Sequence, residues 1–375
     1  MIPEKLKIKI DKRKEENALR SLGEPNKLVD FSSNDYLGFS KNKTIFKNTY
    51  KYLNNYNISQ NGATGSRLLS GNYELYTVVE KQLCEIYNSE AALIFNSGYN
   101  ANLGFFSSVP QKGDYIFYDE YSHASIRDGI SMSNAKAYKF KHNNLNDLKA
   151  KLLRIKPLNN NEIYIVTESV FSMDGDTPDL MLLSKISQTH NAHIIIDEAH
   201  AIGVLGEKAL GLTQHIKPFA KIITFGKAMG CHGAAILCSI SLKEFLINFS
   251  RPFIYTTAMP PHSLATILSA STILLKAKEI ETLKQNIIFF KSEIKRLNLE
   301  SKFIESESAI HCCIISGNKN VKLVAKALQE KNYNVKPILS PTVKKGEERL
   351  RFCIHSYNTQ GEITEVLQLL ANFAT

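Results

Sequence analysis

The segment Thr224-Phe225-Gly226-Lys227-Ala228-Met229-Gly230 sets one lysine among small and apolar residues. Upstream, Asp197 closes the apolar run Ala192-His193-Ile194-Ile195-Ile196. A lysine partly desolvated by such neighbours loses basicity and becomes a better imine-forming amine at neutral pH. A carboxylate at the end of a buried strand can keep a heterocyclic nitrogen protonated, and Thr224 offers a hydroxyl for a phosphate. Separately, a lysine is usually a surface residue and such an aspartate a strand-end acceptor. Together they suit a Schiff base with an aldehyde cofactor, pyridoxal 5′-phosphate (PLP), whose ring accepts the electrons of a carbanion.

Other residues extend the set. His200 lies three positions beyond Asp197, close enough on a turn to reach the cofactor's 3′-oxygen. His123, in Asp119-Glu120-Tyr121-Ser122-His123-Ala124-Ser125, has a flat ring able to stack on a cofactor face. Asn96-Ser97-Gly98-Tyr99-Asn100-Ala101-Asn102 reads as a turn opening a helix, whose free N–H groups and dipole favour a phosphate. Gly98 permits close approach.

The elements that must position these residues alternate. Strand candidates are Leu93–Phe95, 115–119, 162–167, 193–197, 221–224 and 234–238, with helical patterns between most of them. Such alternation predicts an α/β domain with a mostly parallel sheet covered on both faces. His123, Glu168-Ser169, Asp197–His200 and Lys227 each follow a strand candidate, and the carboxyl ends of strands are where ligands gather in such sheets. Residues 1 to about 22 read as a charged amphipathic helix, 62–71 (GATGSRLLSG) as a loop, 73–87 as a helix, and 264 to about 297 as one long helix. The remainder predicts a small α+β domain. The expected division is an N-terminal helix and arm (1–40), a large cofactor-binding α/β domain (41–262) and a C-terminal α+β domain with its linking helix (263–375).

A chain of 375 residues can bury a large core. Its formal net charge is +10, but the basic residues are dispersed and no recognition motif accompanies them, so no nucleic-acid partner is expected. No apolar run is long enough to span a bilayer, and the N-terminus lacks a secretory pattern, which predicts a cytoplasmic protein with no membrane partner. The six cysteines form no C-x-x-C pair and have no zinc spacing; they read as reduced core thiols, and no metal is expected. A nicotinamide dehydrogenase is disfavoured because no G-x-G-x-x-G follows an early strand. A non-catalytic descendant of a PLP enzyme is disfavoured because both Lys227 and Asp197 are present.

Eight ordered segments carry a resemblance: FSSNDYLG (31–38), SGYNAN (97–102), DEYSHASIRDG (119–129), TESVFSMDGD (167–176), IIIDEAHAIGVLG (194–206), TFGKAMG (224–230), FIYTTAMPP (253–261) and PTV with RLRFCIHSYNT (341–343, 349–359). Through them the chain resembles the α-oxoamine synthases, a branch of the fold-type I (aspartate aminotransferase-like) PLP-dependent transferases. The resemblance implies a large domain with a mostly parallel seven-stranded sheet and a small C-terminal α+β domain. It implies an acyltransferase that condenses an amino acid with an acyl thioester, carried on coenzyme A or an acyl carrier protein, with loss of carbon dioxide. It assigns Lys227 as the Schiff-base lysine, Asp197 as the pyridinium partner and His123 as the stacking histidine. His200 and Ser169 would contact the 3′-oxygen, and Gly98, Tyr99 and Thr224 the phosphate. Arg351, aided by Asn34, would hold the amino acid's carboxylate, with Arg20 and Thr342 near the acyl substrate. Thr256 or Thr257 would reach the phosphate of a neighbouring subunit, implying a homodimer with shared active sites.

Overall fold

The computed structural model describes residues 2–24, 26–158 and 160–373. Two compact units emerge: residues 35–171 with 177–280, and residues 1–34 with 172–176 and 281–375. This division groups the N-terminal arm with the C-terminal segment and leaves residues 263–280 with the larger unit, unlike the linear division expected from composition.

The larger unit is built on a seven-stranded sheet. Its spatial order is Ala91–Phe95, Ala234–Cys238, Ala220–Thr224, His193–Asp197, Ile163–Glu168, Tyr115–Asp119 and Lys136–Phe140. Six strands run parallel; Ala234–Cys238 alone is antiparallel to both neighbours. The central strands are buried along nearly their whole length, only His193 of IYIVTE and HIIID being partly exposed, as such sequences require when helices cover both faces. One apolar layer gathers Phe95, Phe105, Ile116, Val166, Ile195 and Ile222; the other gathers Phe117, Leu148, Ile165, Leu183, Ile194 and Ile196. Because alternate side chains point to opposite faces, Ile194 and Ile195 sit in different layers.

Three local expectations change. The edge strand Lys136–Phe140 carries almost no apolar alternation, only Phe140 being buried, and it is held by Tyr138 stacking on Tyr115 and Phe117. The N-terminal helix spans only Glu4–Glu15, ending before Asn17, which adopts a left-handed conformation (φ 53°), and none of its residues is buried. The long helix is two, Pro261–Leu274 and Glu279–Arg296. No Gly or Pro marks the break. The buried stripe through Leu264, Ile267, Ser271 and Leu274 would next require position 278, a lysine, and a new stripe begins at Leu283.

The smaller unit carries a three-stranded antiparallel sheet, Lys336–Ile338, Arg349–Cys353 and Ile310–Ile314, and a short parallel pair, Val29–Asp30 with Tyr333–Asn334. Helices Asn318–Glu330 and Gln360–Phe373 complete it with Glu279–Arg296. The six cysteines are free thiols, four of them buried.

Candidate active site

At the carboxyl end of the large sheet, Glu168 and Asp197 are paired positions of adjacent strands, and both are buried. Two carboxyl groups so close in a water-poor site cannot both ionise cheaply. Asp197 is the one with two hydrogen-bond donors on its carboxylate. Its Oδ2 accepts from Asn102 Nδ2 at 2.8 Å and its Oδ1 from the Ala199 N–H at 2.9 Å. Glu168 Oε1 accepts the His123 backbone N–H at 2.6 Å. Burial first, then the neighbouring Asp197, pushes the Glu168 carboxyl up to about 8, with the His123 N–H and Lys227 opposing.

His123 caps the helix Ala124–Met132, and its Nδ1 accepts the Ser125 N–H. That bond assigns the neutral tautomer with the proton on Nε2. The Ser125 hydroxyl lies 2.8 Å from Nδ1 and also accepts from Asn102 at 3.1 Å. Asn102, through Ser125, thus ties His123 to Asp197. His123 as a residue remains open to solvent. Its pKa lies below the usual histidine value: desolvation lowers it most, Asp197 opposes, and Lys227 and Arg127 lower it further. Asp197 and Lys227 therefore act on the same imidazole.

Lys227 sits, half-buried, in the loop joining Ala220–Thr224 to the antiparallel strand. The loop is anchored by the buried side chains of Phe225, Ala228 and Met229 and closed by the Gly230 N–H donating to the Lys227 carbonyl at 2.8 Å. His200 is buried with its Nδ1 2.7 Å from the Tyr36 hydroxyl. Ser169 is braced on the Asp197 strand, its N–H donating to the Asp197 carbonyl at 2.9 Å and its hydroxyl at 3.3 Å.

The expected phosphate turn opens the helix Gly98–Ser108, with Ser97 Oγ accepting from the Asn100 N–H at 3.1 Å. A Cβ at residue 98 would lie 2.6 Å from Thr224 Cγ2, so only glycine lets the turn and the strand end approach this closely. The Thr224 hydroxyl is buried without a partner among the described residues. Tyr99 is exposed and donates its hydroxyl to Asp128. Thr256 and Thr257 lie at Asn96, whose Nδ2 is 3.4 Å from Thr256 Oγ1 and donates to the Thr257 carbonyl at 2.8 Å.

In the smaller unit the four expected substrate residues form two contacts. Arg351 Nη2 donates to Asn34 Oδ1 at 3.0 Å, while its Nε donates to the Ser172 carbonyl at 2.6 Å. Arg20 Nη2 donates to Thr342 Oγ1 at 3.2 Å. Sequence reasoning gave no role to Asn102, Tyr36 or Glu168. Asn102 and Tyr36 sit inside quoted motifs, but nothing in residue type announces that an amide or phenol will brace a carboxylate or an imidazole.

These residues fit PLP. A helix start and an unpartnered buried hydroxyl suit its phosphate, a braced carboxylate its pyridine nitrogen, an imidazole its face and a lysine its aldehyde. The chain matches the class I and II aminotransferase family over residues 26–370. It is 36% identical to an 8-amino-7-oxononanoate synthase of Emericella nidulans, covering 93% of this chain and 90% of that one. The chain belongs to the α-oxoamine synthases.

This α-oxoamine synthase also superposes on solved members. A serine palmitoyltransferase from S. paucimobilis, with a bound PLP–myriocin aldimine, matches with a TM-score of 0.89 and 25% identity over 99% of this chain and 96% of that one. An 8-amino-7-oxononanoate synthase from Francisella tularensis matches with a TM-score of 0.77 and 30% identity over 93% and 98%. The fold is thus that of the fold-type I PLP transferases, the cofactor is PLP, and the α-oxoamine synthase is an acyltransferase. No helix among the described residues is long and apolar enough to cross a membrane.

Proposed function

We propose that the chain condenses L-alanine with a pimeloyl thioester, on coenzyme A or a carrier protein, to give 8-amino-7-oxononanoate, carbon dioxide and the free thiol in biotin biosynthesis. The observation carrying the chemistry is the convergence of Asp197 and Lys227 on His123 at the carboxyl end of the large sheet. The choice of substrates is supported by 36% identity to proteins named for that product.

When bound, PLP supplies an electron-accepting ring for a carbanion at the amino acid's α-carbon. Asp197, fixed by Asn102, keeps the proton on the ring nitrogen. Lys227, released by the incoming amino acid, takes the α-proton as a general base and later returns one. Arg351 grips the substrate carboxylate with its planar fork, and Asn34 orients the guanidinium. His123 covers the ring face, and its Nε2–H polarises the acyl carbonyl. His200 and Ser169 hold the 3′-oxygen. Gly98, Tyr99 and Thr224 hold the phosphate, Thr256 or Thr257 doing so for a neighbouring subunit in a cytoplasmic homodimer. Arg20 and Thr342 border the acyl chain.

A second reading, an amino acid joined to a long-chain acyl thioester, is favoured by the TM-score of 0.89 to serine palmitoyltransferase. A panel assay separates the two. Glycine, alanine and serine are crossed with acetyl, pimeloyl and palmitoyl thioesters on both carriers, following thiol release. Alanine with a pimeloyl donor is expected to be fastest; strong turnover of another pair, with none of this one, overturns the assignment.

A further inference from the structure

The smaller unit carries a basic groove of about 940 Å³ that the reacting groups do not use. Three segments wall it: the end of the helix Glu4–Glu15 with Glu16 and Asn17, residues 316–320 at the start of the helix Asn318–Glu330, and a loop that contributes residues 340, 341, 345, 346 and 348. Five cations line it, Lys9, Lys12, Arg13, Lys319 and Lys345, against two carboxylates, Glu16 and Glu348.

Neither carboxylate cancels much of that charge. Glu348 is buried and occupied by the N–H groups of Gly317 at 2.8 Å and Gly346 at 3.0 Å. Glu16 lies 3.9 Å from Lys12, and both side chains are exposed, so solvent screens the pair. Among the described residues no carboxylate lies within ion-pair distance of Lys9, Arg13, Lys319 or Lys345. The uncharged groups, in contrast, are bonded to one another. Asn318 Nδ2 donates to the Glu16 carbonyl at 2.8 Å, and its Oδ1 accepts the Ser340 N–H at 2.9 Å. The Ser316 hydroxyl donates to the Gly346 carbonyl at 2.7 Å. These bonds join the three walls, so the cations surround a concavity that needs no ligand to form.

Like charges on one concave face raise a positive potential, which an anionic partner relieves. Two features select that partner. No aromatic ring lines the groove, so a nucleoside base has nothing to stack on. Lys9, Lys12, Lys319 and Lys345 are exposed, as are rim charges that steer and release a protein partner. The groove also adjoins the residues proposed for the acyl chain: Pro341 precedes Thr342, and Arg20, three positions beyond Asn17, donates to Thr342. We propose that this groove docks an acidic acyl carrier protein, which presents its thioester towards Arg20 and Thr342. The proposal rests on the acyl-thioester reading above and decides between its two carriers.

Fluorescence anisotropy tests it, with a labelled, acyl-free holo-acyl carrier protein titrated with PLP-loaded enzyme. The double variant Lys9→Glu/Lys319→Glu reverses one charge on each of two walls and should weaken binding about tenfold; Lys9→Gln/Lys319→Gln should fall between it and wild type. Raising salt from about 0.05 to about 0.5 M should weaken wild type and narrow the difference. In turnover, the charge-reversed enzyme should show a KM about tenfold higher for a carrier-bound thioester with kcat unchanged, and a KM within about twofold of wild type for the coenzyme A thioester of the same acyl group. The visible absorption of the lysine-bound cofactor reports folding. Equal losses with both thioesters would give the groove to coenzyme A, and unchanged carrier binding would leave it a solvated face; either overturns the proposal. Because the titrated carrier bears no acyl group, failure of the pimeloyl assignment in the panel assay leaves the binding result intact.

Discussion

The two ends of the large sheet handle buried polar groups in opposite ways. At the carboxyl end nearly every such group is tied to another: Asp197 to Asn102, Asn102 to Ser125, Ser125 to His123, His123 to Glu168 and His200 to Tyr36. Towards the amino end Lys221 lies over the Tyr87 ring with no hydrogen bond among the described residues, and the Thr213 hydroxyl is buried with no partner among them. A connected network fixes atoms to within the tolerance that catalysis needs. The exceptions at the carboxyl end include Asn102 Oδ1 and the Ser122 and Thr224 hydroxyls, the last being the group we propose for the cofactor's phosphate.

Lysines at the two ends of one strand offer the most direct way to break this contrast. Lys227→Ala should abolish the visible absorption of the lysine-bound cofactor and cost at least about 10⁴ in turnover, the upper range for general acid–base groups. Lys221→Met should leave turnover within about twofold, because it is remote from the reacting atoms. Comparable losses in both would erase the distinction.

A smaller effect is expected at the ring nitrogen. Asp197→Ala should lower turnover by about 10²–10³, measured at saturating PLP, because a buried charge-assisted contact to the protonated ring is lost. Smaller again is the effect on the bracing amide. Asn102→Ala should destabilise the enzyme by about 1–3 kcal/mol in urea unfolding, since it leaves the Asp197 carboxylate short of a donor. An unchanged midpoint would mean that the network is not cooperative.

The subtlest test is pH. Glu168 has a folded-state pKa raised from 4.5 to about 8, so the folded protein binds a proton there that the unfolded chain has already released. Its stabilising contribution is complete below about 4.5 and is lost as pH rises to about 8. The stability of wild type relative to Glu168→Gln should therefore fall across that window and level off above it. A flat difference would show that Glu168 takes up no proton in the folded protein across that window.

Much of this was legible in the residues. Apolar runs of five or six residues separated by helical patterns can be satisfied only by a sheet buried on both faces, and parallel strands gather their following residues at one edge. That logic located Asp197, His123, Ser169 and Lys227 before any coordinates. The Lys136–Phe140 strand escaped because four of its five residues face solvent, and the break between Leu274 and Glu279 because no Gly or Pro signals it. The pairing of Arg20 with Thr342, and of Arg351 with Asn34, spans more than three hundred positions. Residue types give no measure of such separations.

Chain chemistry alone settled which groups could react: an amine with small neighbours, an acid closing a strand, an imidazole and a glycine turn. Those are properties of covalent structure and of short-range periodicity. Packing decided the rest. It chose which amide braces Asp197, which carboxyl is pushed up by burial, and how deeply each of two nearby lysines is buried, because burial and hydrogen-bond supply are set by segments distant in sequence.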